Sequence, residues 1–223
     1  MTKSRMVWAK RLTLTAMVVP ALFLTACPGQ GGSGSKPYEN HDFGDNDPNL
    51  AVAIGDSVVE GYTCDTETLD FPARIAQLTG MNVVNLGQSS ESSGPCAART
   101  PGVLDDFKPG FLLILTTHND AIHERDADEV ANNLRAMIHA AKDRKVVPIV
   151  ATPVPISGPR VWATGPAEDY SVAIRALTSE EGVPLVDLER EFGEDSASLQ
   201  CDGLHLNDEG SVITAAAFAD KLP

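Results

Sequence analysis

Three polar residues of this 223-residue chain could between them perform hydrolytic chemistry: Ser57 in Gly55-Asp56-Ser57, and Asp202 with His205 in Asp202-Gly203-Leu204-His205. A serine hydroxyl is a poor nucleophile at neutral pH, so using it requires an imidazole within reach to take its proton. A carboxylate must in turn fix the tautomer of that imidazole and support its charge. Nucleophile, base and orienting acid are all present, but the serine lies in the first third of the chain and the other two near its end. Their types predict attack on an ester carbonyl, provided the fold brings the two regions together.

The elements that must do so are legible as a rhythm. Short apolar runs at Leu50 to Ile54, Met81 to Leu86, Phe111 to Leu115, Val146 to Ala151 and Val183 to Val186 do not alternate with polar residues, which suits strands buried on both faces. Amphipathic stretches lie between and after them, near Leu69 to Leu78, Ala127 to Lys142, Pro166 to Glu181 and Asp208 to Leu222. The sequence therefore predicts an α/β fold: three layers, α/β/α, around a flavodoxin-like, mostly parallel, five-stranded sheet. Ligands of such sheets gather beyond the carboxyl ends of the strands. The unusual polar residues fall there, in Gly55 to Gly61, Gly87 to Ser92, Thr116 to Asp120 and, before the last helix, Cys201 to His205.

In that order the four segments resemble the blocks of the SGNH (GDSL) hydrolase family, over essentially the whole body from Leu50 to Leu222. The resemblance implies Ser57 as nucleophile, His205 as base and Asp202 as its orienting acid. It further implies an oxyanion hole made of the Ser57 and Gly87 backbone N–H groups and the Asn119 side chain; with no paired C-x-x-C spacing in the chain, no metal or other cofactor is expected. A glycine suits a backbone donor that must come close to the reacting oxygen. One departure is visible: the family's Gly-x-Asn-Asp is Thr117-His118-Asn119-Asp120 here. A β-branched residue resists positive φ, so either this loop takes another path or the family glycine serves only close packing. The G-x-S-x-G elbow of the α/β-hydrolases does not occur around Ser57.

Each residue also has a plainer role open to it. Ser57 could cap the following helix, Gly87 could be a turn glycine, and Asp202 and His205 could be loop residues; the order of all four segments favours catalysis. Asp56 and Asp120 are expected to brace their loops by hydrogen bonds. His118 is expected to be exposed on the rim, His139 on a helix, and Asp126 with Asp128 at a helix start. His118, Asp120, His123 and Asp126 are not expected to form a metal site. The proline-rich stretch from Pro153 to Trp162 is expected to wall the pocket, with Arg160 or Trp162 near substrate.

The first 26 residues have a basic start (Lys3, Arg5, Lys10, Arg11) and an apolar stretch from Leu12 to Leu24, the pattern of a secretory signal and too broken for a good membrane span. Leu24-Thr25-Ala26-Cys27 resembles the lipobox of bacterial lipoproteins, which implies lipidation at Cys27 and anchoring to a lipid bilayer. Pro28 in place of an aspartate implies the outer membrane of a diderm cell envelope. Residues 27–48 are polar and rich in glycine and turns, so they are expected to form a flexible tether spanning roughly 25 Å, with the catalytic domain at 49–223. Loss of the signal removes four positive charges and no negative ones, taking the formal charge from −14 to −18. That balance excludes nucleic acid as a partner. The expected partner is a small-molecule or glycan ester, met by a monomer.

Besides Cys27 the chain holds Cys64, Cys96 and Cys201, so one disulfide and one free thiol are expected in an oxidising compartment. Spacing does not fix the pairing; Cys64 with Cys96 is the favoured one. Within the ester-hydrolase reading the acyl group stays open among short-chain esters, carbohydrate O-acetyl groups, and lysophospholipids or thioesters. The modest aromatic content and the want of a long apolar lid segment favour a short acyl group. A noncatalytic binder of a glycan or ester ligand at the same rim is the alternative from another class.

Overall fold

The central strand shows why the apolar runs do not alternate. In β1 (Asp47–Gly55) every residue from Ala51 to Ile54 is fully buried, and successive side chains enter opposite cores. Ala51 and Ala53 join Phe111, Leu113 and Leu115 of β3 (Pro109–Leu115) on one face, while Val52 and Ile54 join Leu112 and Ile114 on the other. The computed structural model describes residue 38, residues 40–62 and residues 69–223, leaving aside the side chains of residues 194 and 195. Among the described residues the sheet has five parallel strands in the order β2-β1-β3-β4-β5. The remaining strands are β2 (Asn82–Gly87), β4 (Val147–Ala151) and β5 (Leu185–Val186).

Helices cover both faces, as the rhythm requires. On one side α2 (Phe71–Thr79) and α8 (Asp208–Ala219) pack together, with the rings of Phe71 and Phe218 stacked at 5.5 Å. On the other, α3 (Ser93–Phe107), α5 (Ala127–Lys142) and α6 (Thr164–Glu181) supply Leu104, Leu134, Met137, Ile138, Ile174 and Leu177. Short helices α1 (Ser57–Glu60), α4 (His118–Ile122) and α7 (Leu188–Phe192), with 3-10 turns at Gly158–Ala163 and Gly193–Leu199, fill the connections. Local chemistry sets several boundaries. Asp70, Asp126 and Asn207 accept backbone N–H groups at the starts of α2, α5 and α8, and Gly80 ends α2 in the left-handed region.

Three expectations need correction. The sequence assigns no element to residues 93–107, where the structure has α3, a helix that carries Pro95, Pro101 and Gly102. Pro95 stands in the first turn, where its missing N–H has no intrahelical partner to lose. The helix continues past Pro101 because Cys96, Thr100 and Leu104, four residues apart, form a buried stripe facing α5. The tether does not extend to residue 48. Tyr38 is buried with its ring 5.1 Å from Phe111, Phe43 lies 5.5 Å from Phe111, and Asn46 donates to the carbonyl of Arg144 at 2.7 Å. The stretch looked loose because its few apolar residues are scattered among polar ones, but it closes the sheet at the amino ends of its strands. Finally, Cys96 is a free thiol with no exposed surface, inside the core beneath α3, so it does not pair with Cys64. Cys27 and Cys64 lie outside the described residues.

Candidate active site

The chain turns sharply at the end of β1. Gly55 has φ +157°, and a Cβ there would sit 1.8 Å from the carbonyl oxygen of Leu115. Only glycine allows β1 and β3 to end this close together. Asp56 then caps α1 by accepting the Val58 N–H at 2.9 Å, which leaves Ser57 as the first residue of that helix. From the far end of the chain, residues 200–206 form a tight hairpin: Gln200 bridges Leu206, and the Cys201 N–H donates to the His205 carbonyl at 3.0 Å. Within it the Asp202 carboxylate accepts the backbone N–H of Leu204 at 3.1 Å and of His205 at 2.9 Å.

This architecture brings the three predicted residues into line. Ser57 Oγ lies 3.0 Å from His205 Nε2, and His205 Nδ1 lies 2.9 Å from Asp202 Oδ2. A carboxylate can only accept, so Nδ1 carries the imidazole proton and Nε2 is left bare to receive the proton of the serine. Burial acts to raise the Asp202 carboxyl, but it is outweighed by the backbone and side-chain hydrogen bonds of His205, the His205 charge and the Arg160 charge, which together hold it down at about 2. Arg160, on the proline-rich wall, donates to both the carbonyl and the carboxylate of Asp202, at 3.0 and 3.1 Å. The ring of Tyr62 lies over His205 at 4.5 Å and is 56 % exposed.

A cleft of about 250 Å³ opens over the serine, lined among others by Tyr62, Ser90, Asn119, Arg160 and Leu204. Asn119 keeps one amide hydrogen for the cleft, since the other is given to the Glu91 carbonyl at 2.9 Å. Thr117 does adopt positive φ, at +99°, so the loop keeps a path that glycine would take without strain. The threonine stands there at a cost of about 1–3 kcal/mol, fully buried and with its hydroxyl unpartnered. Gly87 is not at the cleft. Its N–H is taken by Asn85 Oδ1 at 2.9 Å, and a Cβ would fall 2.0 Å from the Glu60 nitrogen, so its task is close packing against α1. Ser90, three residues further on, occupies the rim at φ +66°, and its N–H has no acceptor among the described residues. No residue type marks it, because a backbone donor can come from any side chain; only its distance past the strand end pointed to the loop tip.

Buried pairs hold these loops. Glu91 and Arg99 make a bidentate pair at 2.7 and 2.8 Å, and Arg99 also donates to the Leu86 carbonyl. Asp120 accepts both the N–H and the hydroxyl of Ser93 at the start of α3. His118 is 1 % exposed, not on the rim as expected, with Nδ1 2.8 Å from Asp56 Oδ2. Its neighbour Asn119 lines the cleft instead. Asp126 caps α5, and His139 pairs with Glu181 on the surface. Among the described residues no group of His, Cys, Asp or Glu is arranged to hold a metal ion.

A parallel three-layer sheet with a hydrogen-bonded serine, histidine and aspartate at its carboxyl edge defines a serine hydrolase of the flavodoxin-like type. The sequence profile of the GDSL-like lipase/acylhydrolase family matches residues 53–213, and the chain belongs to that family, making it a serine ester hydrolase. It is 24 % identical over 177 residues to thioesterase 1/protease 1/lysophospholipase L1 of Escherichia coli K12, covering 77 % of this chain and 82 % of that one. Solved structures with the same fold include a lipase/acylhydrolase from Enterococcus faecalis, at TM-score 0.69, 21 % identity and coverage of 77 % and 94 % of the two chains. The acetylxylan esterase Axe2 of Geobacillus stearothermophilus aligns at TM-score 0.66, 21 % identity and coverage of 77 % and 93 %.

Two predictions follow from this geometry. Gly87→Ala forces the α1 backbone away and should cost at least ~1–3 kcal/mol, seen as a lower thermal midpoint; an unchanged midpoint would show that Gly87 is not a packing contact. Asp202 has a lower carboxyl value folded than the ordinary 3.8, so its stabilisation is complete above that value and is lost as pH falls toward about 2. Denaturant titrations at pH 4 and pH 2 should show the wild type losing about 2 kcal/mol more than Asp202→Asn across that interval.

Proposed function

We propose that the protein hydrolyses short-chain acyl or acetyl esters through an acyl-enzyme on Ser57. His205 Nε2 takes the Ser57 proton as the oxygen attacks the carbonyl, and Asp202 steadies the resulting imidazolium. The tetrahedral oxyanion is met by the N–H groups of Ser57 and Ser90 and by the Asn119 amide. Collapse expels the alcohol, which takes its proton from His205; water, deprotonated by His205, then releases the acid and restores the serine. The observation that carries this reading is the unbroken relay from Asp202 through His205 to Ser57, at 2.9 and 3.0 Å, beneath an open cleft. Among the described residues the Ser57 and Ser90 N–H groups have no other acceptor and the Asn119 amide keeps one hydrogen beyond its bond to Glu91, which supports the oxyanion assignment.

The small volume of the cleft and its serine, tyrosine, asparagine and arginine lining favour a short acyl group on a polar alcohol, such as an O-acetylated sugar, over a long-chain thioester or lysophospholipid. A purely binding role rested on the altered third block, and Asn119 reaches the cleft despite Thr117. We further propose that residues 1–26 are a signal peptide, that Cys27 carries lipid, and that the enzyme works from the membrane of a bacterial envelope. With Cys96 enclosed and free, the bracing disulfide we assign joins Cys201 to Cys64.

A fluorophosphonate should label the wild type and not Ser57→Ala, and a p-nitrophenyl series from acetate to palmitate should show the highest kcat/KM at the short end. An unlabelled, folded wild type would refute the serine mechanism, and a long-chain preference would refute the acyl assignment. Peptide mass mapping without reductant should find Cys64 joined to Cys201; separate thiols there would remove the brace.

A further inference from the structure

The backbone ladder that joins the central strands stops short of the chemistry. Pairing between β1 and β3 ends at Gly55 with Leu115, and between β3 and β4 at Ile114 with Val150. Beyond those pairs, the loops bearing Ser57 and Asn119 and the wall that begins at Pro153 need some other link to keep register. One buried imidazole supplies it. His118 Nδ1 lies 2.8 Å from Asp56 Oδ2, and the Val154 N–H donates to His118 Nε2 at 3.1 Å. Because a backbone N–H can only donate, Nε2 is bare and Nδ1 holds the proton. The neutral ring is therefore the form that satisfies both partners at once.

The residues tied in this way sit directly beside the reacting groups. Asp56 precedes Ser57 and caps its helix with the other carboxylate oxygen, and His118 precedes Asn119. The wall in turn grips the hairpin that bears Asp202 and His205. Gln200 Nε2 donates to the Pro155 carbonyl at 2.5 Å, the Ser157 N–H donates to the Gly203 carbonyl at 2.8 Å, and the Ser157 hydroxyl donates to Gln200 Oε1 at 3.1 Å. Gly203 permits that grip, since its φ is +81° and a Cβ would meet the Ser157 carbonyl oxygen at 2.2 Å.

We propose that His118 is a positioning residue for the reaction: its neutral imidazole, held between Asp56 and Val154, sets the spacing among the nucleophile, the Asn119 donor and the Asp202–His205 hairpin. The inference rests on the catalytic reading above. His118 touches no substrate and moves no proton. It fixes where three separate loops stop, in a site where a misplacement of about 1 Å can cost on the order of 100-fold in rate.

The test measures p-nitrophenyl acetate hydrolysis per active site, with sites counted by fluorophosphonate, in wild type, His118→Leu, His118→Gln and Asp56→Asn. His118→Leu should lose roughly 10- to 100-fold in kcat while KM stays near the wild-type value, the sign of an interaction felt in the transition state. Fluorophosphonate labelling should slow in parallel. His118→Gln should recover most of the turnover, because a neutral amide can both donate and accept. A folded Leu variant with wild-type kcat overturns the proposal, as does a loss that glutamine does not relieve. If His118→Leu does not fold, Asp56→Asn decides: it keeps the shape but leaves one acceptor oxygen where the His118 and Val58 N–H groups need one each, so a lower kcat at unchanged KM supports the brace and a wild-type kcat overturns it. An unlabelled wild type would sink the catalytic reading and the brace with it, whereas a labelled wild type beside an unaffected Leu variant sinks the brace alone.

Discussion

Close approach of two parallel strand ends governs the rest of this molecule. β1 and β3 are neighbours at the point where the strand order reverses, the position at which open sheets of this kind form a crevice. Their last pair is Gly55 with Leu115, and the space between them admits no Cβ. Ser57 follows one strand by two residues and Asn119 follows the other by four, so a serine and an amide that are 62 positions apart share one rim. Everything else at the site is arranged around that spacing. The hairpin before α8 brings His205 to Ser57, and the wall before α6 holds the hairpin.

The electrostatic design is economical given a chain with 31 acidic residues. Asp202 stays ionised because it is wrapped in donors, two from its own hairpin backbone, one from the imidazole and one from Arg160. The arginine sets a positive charge beside the carboxylate and ties it to the hairpin backbone by donating to both Oδ2 and the Asp202 carbonyl. Thr117 shows the opposite balance. A strained backbone and an orphaned hydroxyl are tolerated there because the flanking residues are pinned on every side: His118 to Asp56, Asn119 to Glu91 and Asp120 to Ser93.

The sheet and the three residues of the relay were readable from the amino acids because both leave strong local marks. Buried parallel strands appear as unbroken apolar runs, and a hydrogen-bonded serine, histidine and aspartate can come only from those residue types. What escaped notice has weaker marks or misleading ones. Helix α3 carries prolines and a glycine that argue against it locally, and only tertiary packing of Cys96, Thr100 and Leu104 overrides them. Gly87 looked like a donor because it was a glycine after a strand, yet its missing side chain makes room for α1, and the open N–H belongs to Ser90. His118 was placed on the rim because polar residues usually are; nothing in the linear sequence foretold that Asp56 and the Val154 N–H would enclose it. Tyr38 and Phe43 lay in what read as a leash because isolated aromatics give no period.

Those two aromatic residues also determine how the domain would carry mechanical load. The chain enters through Tyr38 and Phe43, packed on Phe111 at the amino ends of the strands, whereas the cleft opens at the carboxyl ends. Tension applied upstream would therefore run first into those ring contacts and then along β1, where parallel hydrogen bonds on both sides resist it in shear. The loops bearing Ser57 and Asn119 lie beyond the far end of that strand, outside the path of the force, so these residues can keep their spacing while the body is pulled.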